Sequence, residues 1–267
     1  KMENNPLEKY FRENRKNVIH KWLHYFEVYH KHLGHLRNKA CVVAEIGVAM
    51  GGSLQMWREY FGPQSIIVGI DINPNCKQFT GNQIFIETGD QADTQFLESL
   101  KEKYPPFDVI IDDGGHFMHQ QITAFEVLYD HLKTDGVYIC EDTHTSYWEE
   151  YGGARQLPST FIEYTKRLID DLHAWHQQNA TEKAIDFAKH TQAIHFYDSV
   201  VVLEKRLRDA PYPEKTGGAL LKSCIDFEEK EKQLFKLMVE LLGVKLPENI
   251  GLRSEERRVG KECRSRW

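Results

Sequence analysis

Short apolar runs alternate with amphipathic segments along the middle of the chain. Runs rich in valine and isoleucine predict buried strands, at residues 41–46, 65–72, 84–88, 107–111 and 137–140. Other segments repeat their apolar residues at three- and four-residue steps and predict helices, at residues 53–61, 93–103, 120–132 and 161–176. Strands and helices that alternate in this way predict a parallel sheet with helical crossovers, and therefore an α/β fold.

The two ends of the chain add helices and a hairpin to this plan. Apolar residues recur at helical steps through residues 6–36 and predict a single N-terminal helix. Residues 193–197 and 200–204 flank Asp198-Ser199 and predict a hairpin that closes one sheet edge, and residues 226–242 predict a final helix. We therefore expect an N-terminal helical extension over 1–36, a core domain over 37–209, a C-terminal loop and helix over 210–251, and a non-native or disordered tail over 252–267.

Histidines are dense in the N-terminal stretch, which contains His20, His24, His30, His32 and His35. A metal site is one interpretation of this density. Histidines scattered over both faces of a helix do not converge on one ion, so the pattern favours a solvated helical face. His195 and Tyr197 are expected only to belong to the edge hairpin.

Composition and charge narrow the function. The chain has 267 residues and a formal charge of −6, which disfavours a nucleic-acid partner because phosphate contacts need a basic surface. No apolar run approaches the ~20 residues that span a bilayer, and the polar N-terminus lacks the pattern of a secretory signal. The 5 cysteines lack the spacing of zinc or redox motifs, so we expect reduced thiols and a cytoplasmic location.

Acidic residues and histidines follow two of the predicted strands. Asp112, Asp113 and His116 come after one strand, and Glu141, Asp142 and His144 come after another. The carboxyl ends of strands in an open α/β sheet are where such sheets bind ligands. Carboxylates gathered there are costly unless a cation neutralises them, and oxygen ligands favour Mg²⁺ or Mn²⁺ over zinc. The sequence therefore predicts a hard divalent metal beside a bound small molecule.

A glycine-rich turn joins the first strand to its helix. Its candidate ligand-contacting residues are Glu45, Gly47, Gly51, Gly52 and Ser53, because glycines let backbone N–H groups approach a ligand closely. Asp71 ends the second strand, where a carboxylate suits ribose hydroxyls, and Asp90 and Gln91 follow the third, where an adenine could be read. Ala49 replaces the second glycine of Gly-x-Gly-x-x-Gly. This disfavours a pyrophosphate cofactor such as NAD, whereas S-adenosylmethionine tolerates the change.

These motifs together resemble a known family. The series comprises Glu-Ile-Gly-Val, Gly-Gly-Ser-Leu-Gln-Met-Trp, Gly-Ile-Asp-Ile, Gly-Asp-Gln, Ile-Asp-Asp-Gly-Gly-His and Glu-Asp-Thr-His-Thr-Ser-Tyr-Trp. It is similar to that of class I S-adenosylmethionine-dependent methyltransferases, and within these to the macrocin and mycinamicin sugar O-methyltransferases and the cephalosporin-hydroxylase/rhamnosyl O-methyltransferase group. The resemblance spans residues 21–205. It implies a Rossmann-like, mostly parallel seven-stranded sheet with an antiparallel edge, S-adenosylmethionine as methyl donor, Mg²⁺ at the acceptor, and a homo-oligomer.

The resemblance also implies roles for individual residues. Asp113, Glu141 and Asp142 would be the metal ligands, and His116 would be the base that removes the proton of an acceptor hydroxyl. The ordinary pKa range of histidine independently suits that task. His144 is the rival as base or substrate contact. Asp112 is expected in a structural role or beside the cofactor, and Tyr147 and Trp148 either stack on a sugar or pack in the core.

A metal-dependent O-methyltransferase acting on a small hydroxylated acceptor, a glycoside or another natural-product diol, is therefore expected. A hydroxyl titrates far above neutral pH, and chelation by a cation would lower its pKa and fix its line of attack. The alternative is a metal-dependent hydroxylase-like enzyme of natural-product biosynthesis, which the residues disfavour because an iron facial triad needs two histidines and one carboxylate. A non-catalytic nucleotide-binding protein is a third hypothesis, which the dense acidic cluster disfavours.

Overall fold

The computed structural model describes residues 5–214 without a gap, together with residue 216 and residues 233–234, 236–237 and 239–241. The chain divides into two compact units, Lys1–Pro211 and Tyr212–Trp267, and every element named below belongs to the first. The helix predicted over residues 226–242 lies mainly outside the described residues, and those described within it are helical. The tail predicted over 252–267 also lies outside them, so the domain boundaries stay predictions.

A seven-stranded sheet forms the centre of the first unit. Its strands are β1 (Val42–Ile46), β2 (Ile66–Asp71), β3 (Ile84–Thr88), β4 (Phe107–Asp112), β5 (Leu132–Cys140), β6 (Thr191–Tyr197) and β7 (Val200–Lys205). The order across the sheet is β3-β2-β1-β4-β5-β7-β6, and only the β5–β7 and β6–β7 pairs are antiparallel. The predicted Rossmann-like architecture with an antiparallel edge hairpin is confirmed.

Helices cover both faces of this sheet. They are α1 (Pro6–Glu13), α2 (Tyr25–Leu33), α3 (Gly52–Phe61), α4 (Thr94–Lys103), α5 (Met118–Leu128), α6 (Phe161–Leu172) and α7 (Glu182–His190). Successive strand residues point to opposite faces, so Val43 packs in the core with α2 and α3, and Ala44 in the core with α4 to α6. The sequence analysis missed α7, which begins after Thr181, whose side chain caps it by accepting the Ala184 N–H. Among the described residues, no helix combines the length and apolarity needed to cross a bilayer.

The single N-terminal helix predicted over residues 6–36 is wrong. α1 ends at Glu13 and α2 begins at Tyr25, and residues 14–24 between them, which we call the linker, are not helical. The linker exposes Val18 and Trp22, which the apolar periodicity predicts to pack against the core. The linker departs from the predicted helix where Lys21 contacts the carboxylates of Asp113 and Glu141 at the end of the sheet, an electrostatic contact that apolar periodicity does not predict.

Candidate active site

Parallel pairing brings the acidic residues to one end of the sheet. Ile46 of β1 pairs with Asp112 of β4, and Asp112 pairs with Cys140 of β5, so the loops that follow leave the sheet side by side. The backbone N–H of Asp113 donates to the Ile46 carbonyl at 2.9 Å, and that of Glu141 donates to the Asp112 carbonyl at 2.8 Å. These bonds hold together Asp113, Glu141 and Asp142, which we call the acidic site.

Lys21 of the linker lies inside the acidic site. Its Nζ is 2.5 Å from Asp113 Oδ2 and 2.8 Å from Glu141 Oε2, and the side chain is 3% exposed. A third carboxylate, that of Glu45, lies 3.8 Å from the same nitrogen. Burial alone would lower the pKa of Lys21, but these carboxylates raise it, so the ammonium stays charged. One ammonium therefore faces three carboxyl groups.

The crowding of charge is visible at Glu141. Its side chain is 1% exposed, and burial followed by the charge of Asp113 raises its pKa well above the ordinary value. Lys21 opposes this rise without cancelling it. An additional cation would relieve the repulsion that remains.

Asp142 is oriented by a tyrosine of α2. Its backbone is left-handed, with a φ of 51°, and its Oδ1 accepts a hydrogen bond from the Tyr25 hydroxyl at 2.6 Å. Burial, and then the hydrogen bond to Asp142, raise the pKa of Tyr25, so the phenol remains a donor. The other oxygen of Asp142, Oδ2, lies 3.5 Å from His116 Nε2.

His116 lies between the two aspartates. Its Nε2 is 3.9 Å from Asp113 Oδ1 and 3.5 Å from Asp142 Oδ2. The left-handed backbone at His116, with a φ of 60°, is held by Thr145, whose Oγ1 donates to the His116 carbonyl at 2.9 Å. Its Nδ1 is buried and has no hydrogen-bond partner among the residues that the structure describes. The fold thus brings the predicted base together with two of the three predicted metal ligands.

These residues fit a hard divalent cation, with one qualification that concerns Glu141. Asp113, His116 and Asp142 each offer a ligand atom, and these atoms lie within 4.8 Å of one another. Glu141 is not in this group, because both its oxygens contact Lys21 Nζ, at 2.8 and 3.0 Å. A metal held by Asp113, Glu141 and Asp142 together, as the sequence predicts, requires the ammonium to move away.

His144 lies at the rim of the acidic site. Its Nδ1 contacts Ser199 Oγ and is 4.0 Å from Asp142 Oδ1. The ring packs edge-on against Trp148 and Trp22, with centroid separations of 4.5 and 6.0 Å, and both indoles are exposed. The structure does not bring His144 into the group around His116. Its position favours the predicted substrate contact over the role of base.

A cleft of about 250 Å³ lies beside the acidic site, and Gly47, Asp71, Asp90, Gln91 and Asp113 are among its lining residues. Gly47 has a φ of 94°, and a Cβ there would collide with the backbone of Asp113, so only glycine lets the two loops meet. Asp71 Oδ2 accepts the N–H groups of Val48 and Ala49 at 2.9 and 3.0 Å. Asp71 therefore fixes the turn while it lines the cleft.

Several predicted cofactor contacts are turned away from this cleft. Glu45 is fully buried and accepts hydrogen bonds from Ser53 Oγ at 2.7 Å and Trp57 Nε1 at 2.8 Å. Asp112 is also fully buried, accepts from Gln91 Nε2 at 3.1 Å, and has its pKa raised by burial to about 7. Glu45, Gly51, Gly52, Ser53 and Asp112 are not among the residues that line the cleft, and their predicted contact with the cofactor stays a prediction.

The glycines at the start of α3 serve packing. A Cβ on Gly51 would collide with the ring of Phe79, and Gly51 also has a φ of 71°. A Cβ on Gly52 would collide with the carbonyl oxygens of Asn17 and Val18 in the linker. The linker consequently lies directly against the turn that leads into α3, which places Lys21 within reach of the carboxylates.

Lys21 and Tyr25 are the site residues that sequence reasoning missed. The available signal was the polar run over residues 13–17, which interrupts the apolar periodicity where a linker begins. A second signal was chemical, because buried carboxylates need a cationic partner and the chain must supply one when no metal is bound.

Comparison with known proteins adds the family to this geometry. The protein-family model described as FtsJ-like methyltransferase matches residues 19–151 of the chain. The chain is 34% identical over 200 residues to L-olivosyl-oleandolide 3-O-methyltransferase of Streptomyces antibioticus, a match that covers 70% of this chain and 51% of the relative. The chain belongs to the methyltransferase family. This methyltransferase is also 37% identical over 196 residues to 8-demethyl-8-(2-methoxy-alpha-L-rhamnosyl)-tetracenomycin-C 3'-O-methyltransferase of Streptomyces olivaceus, covering 69% and 50%.

A solved structure shares the fold of this methyltransferase. MycE, a methyltransferase from the mycinamycin biosynthetic pathway solved in complex with Mg and SAH, is 29% identical with a TM-score of 0.65, and the match covers 78% of this chain and 56% of MycE. A second structure of MycE also contains mycinamycin VI. The chain spans about half the length of the curated relatives it matches. The family resemblance and the Rossmann-like methyltransferase fold are confirmed.

Proposed function

We propose that this methyltransferase moves a methyl group from S-adenosylmethionine to a hydroxyl of a small glycoside or related diol, with Mg²⁺ or Mn²⁺ at the acidic site. The observation that carries the proposal is the group Asp113, His116 and Asp142, in which two carboxylates and an imidazole lie within 4.8 Å beside the cleft. The names of relatives support the reaction, and the MycE complex with Mg and SAH supports the cofactors.

The lining of the cleft supports a nucleoside with a cationic sulfur. Asp71 ends β2, where a carboxylate suits ribose hydroxyls, and Asp90 and Gln91 follow β3, where an adenine edge can be read. Asp113 lines the cleft at the end that meets the acidic site, so its negative charge faces the expected position of the sulfonium. Opposite charges attract more strongly in such a partly buried site than in water.

The acidic site supports activation of the acceptor. Asp113 and Asp142 would hold the divalent ion, which when bound lowers the pKa of a coordinated hydroxyl and orients it. His116 is then not a ligand of the ion, and its Nε2 would accept the hydroxyl proton while the oxygen attacks the methyl carbon. As the carbon–oxygen bond forms, the carbon–sulfur bond would break, its electron pair would stay on sulfur, and S-adenosylhomocysteine would leave. General-base assistance of this kind is typically worth ~10²–10⁴ in rate.

The rim of the acidic site supports a sugar as acceptor. Trp22 and Trp148 expose indoles on either side of His144, with 54% and 44% of each residue accessible. Exposed aromatic rings present apolar faces against which the C–H face of a sugar can pack. The formal charge of −6 favours a small glycoside over RNA as the acceptor.

A hydroxylase is not supported by the same residues. The group at the acidic site contains one imidazole and two carboxylates. The iron facial triad of oxygenases needs two imidazoles and one carboxylate. The composition of the site therefore favours a metal that prefers oxygen ligands.

The proposal is tested by incubating the full chain with methyl-labelled S-adenosylmethionine, Mg²⁺ and a panel of glycosides that includes mycinamicin VI. We expect mass spectrometry to find one labelled methyl group on an acceptor. Transfer should stop in excess EDTA and return when Mg²⁺ is restored. Asp113→Asn should lose both transfer and its dependence on metal, whereas Asp135→Asn, at an exposed position of β5, should retain them.

Each part of the proposal has an outcome that contradicts it. Full activity in EDTA would remove the metal from the mechanism. Labelled methyl groups on RNA and none on glycosides would show that the acceptor is RNA. Binding of S-adenosylmethionine without transfer to any acceptor would favour the hypothesis of a non-catalytic nucleotide-binding protein.

A further inference from the structure

A second cluster of metal-binding side chains lies where α2 packs on the edge hairpin. It contains His32 of α2, His195 of β6 and Glu204 of β7, which we call the edge site. One ligand atom from each lies within 4.8 Å of the other two. Among the described residues, the edge site and the group around His116 are the clusters of this kind. No part of the proposed methyl transfer uses the edge site.

The two imidazoles flank one carboxylate. His32 Nδ1 is 2.7 Å from Glu204 Oε1, and His195 Nε2 is 3.5 Å from Glu204 Oε2. The imidazole centroids are 4.7 Å apart. Zinc bonds to imidazole nitrogen are about 2.0–2.1 Å long, which puts tetrahedral ligand atoms roughly 3.3 Å apart. The donor atoms therefore need only small movements to share one ion.

His195 supplies an independent sign that a ligand is expected. Its Nε2 is buried and has no hydrogen-bond partner among the described residues, and Glu204 Oε2 is 3.5 Å away. A buried polar atom without a partner costs about 1–3 kcal/mol. A metal ion between His195 and Glu204 would satisfy this nitrogen without a change of fold.

Tyr197 holds His32 in the orientation that a ligand needs. Its hydroxyl oxygen is 2.9 Å from His32 Nε2 and also accepts a hydrogen bond from Lys31 Nζ at 2.9 Å. Without a metal, His32 Nδ1–H donates to Glu204 Oε1 at 2.7 Å. A bound ion would replace that proton, and His32 Nε2–H would then donate to the Tyr197 oxygen. Metal-binding histidines commonly place their second nitrogen in such a hydrogen bond.

We propose that His32, His195 and Glu204 bind a divalent transition ion of the zinc class, which fastens α2 to the edge hairpin. Two imidazole nitrogens and one carboxylate select Zn²⁺ or a similar ion over Mg²⁺, which prefers oxygen ligands. His32 and Glu204 also line an open cavity of about 490 Å³, through which an ion and a water ligand can enter. The ion would connect α2 to two strands that are remote from it in sequence.

The test uses the metal-free full chain and Zn²⁺ in the presence of excess Mg²⁺, which occupies the acidic site. Competition with a chromophoric chelator measures affinity, and the visible spectrum of added Co²⁺ reports coordination by nitrogen. We expect one bound Zn²⁺ and a raised melting temperature in the wild type. His195→Ala and Glu204→Gln should bind Zn²⁺ more than about 10-fold more weakly, since loss of a ligand should exceed the loss of an outer partner.

A control variant and a titration in a variant of the acidic site show whether Zn²⁺ binds at the edge site. His176→Ala removes an exposed histidine outside the edge site and should bind Zn²⁺ as the wild type does. The titration is repeated in Asp113→Asn, where tight binding must persist if the edge site holds the ion. Equal affinity in His195→Ala and the wild type would overturn the proposal, as would loss of tight binding in Asp113→Asn.

Discussion

The acidic site and the edge site differ in their balance of carboxylates and basic groups, although helix α2 contacts both. At the acidic site, carboxylates outnumber cations, and Lys21 is the ammonium that three of them share. At the edge site, imidazoles outnumber carboxylates, and one imidazole nitrogen has no hydrogen-bond partner among the described residues. The first site is therefore rich in carboxylate oxygens, and the second is rich in imidazole nitrogens. If each site binds the ion proposed for it, one small domain would hold two ions of different chemical type.

Helix α2 contacts both sites. Tyr25, its first residue, donates to Asp142 at 2.6 Å. His32, near its end, contacts Glu204 at 2.7 Å. The orientation of α2 is consequently set by carboxylates at both ends, one at the carboxyl end of the parallel strands and one on the antiparallel edge. Changes that act on one site and spare the other test whether the two are independent.

The largest expected effect is that of His116→Asn, which removes the base from the acidic site. We expect kcat to fall by ~10²–10⁴, the usual range for general-base assistance, because asparagine cannot take up the proton. Affinity for S-adenosylmethionine and Zn²⁺ binding at the edge site should not change. His119→Asn, at an exposed neighbouring position, is the matched control. If the pH–rate profile of His116→Asn kept its shape, another residue would be the base.

Lys21→Met tests the charge imbalance directly. The substitution leaves buried carboxylates without their partner, which should destabilise the metal-free protein by about 3–5 kcal/mol. For a chain of this size the melting temperature should fall by on the order of 10 °C. Mg²⁺ should then raise the melting temperature more than it does in the wild type, because it replaces the missing positive charge.

The control for Lys21→Met lies in the same linker. Lys16 is exposed, and Lys16→Met should melt with the wild type in the presence and absence of metal. A Lys21→Met protein as stable as the wild type without any metal would show that the ammonium is not what holds these carboxylates together.

The smallest expected effect comes from a mirrored pair of tyrosine changes. Tyr25→Phe removes the donor to Asp142 and should weaken Mg²⁺ binding by roughly 10–100-fold, with Zn²⁺ binding unchanged. Tyr197→Phe removes the partner of His32 Nε2 and should weaken Zn²⁺ binding over a similar range, with Mg²⁺ unchanged. Calorimetric titration of each variant with each metal measures both values. A variant that weakened both ions equally would mean that α2 couples the two sites.

The sheet could be predicted from the sequence because its strands are buried on both faces. In β1, Val42, Val43 and Ala44 are all buried, and an uninterrupted apolar run is the direct result. The acidic site followed from the same logic, because carboxyl ends of neighbouring parallel strands meet at one edge. Asp113 therefore lies beside Glu141 and Asp142 in the fold, although the two segments are distant in sequence.

The linker and the edge site could not be predicted in this way. Helical periodicity reflects apolar contacts and carries no information on ion pairs between a buried carboxylate and a lysine. The periodicity of residues 6–36 therefore predicts one helix. His32 and Glu204 are separated by 172 residues, and only the register of the edge hairpin brings His195 beside them. A histidine with no other metal-binding side chain on its own face of the helix can therefore lie beside such side chains on distant strands.

Gly52 has a consequence for relatives of this chain. The absence of a side chain there admits the linker carbonyls of Asn17 and Val18, and this contact delivers Lys21. A homologue with a bulkier residue at the equivalent position has to route its N-terminal segment along another path and neutralise its carboxylates by other means. We therefore expect glycine at the equivalent position in homologues whose N-terminal segment supplies a lysine to these carboxylates.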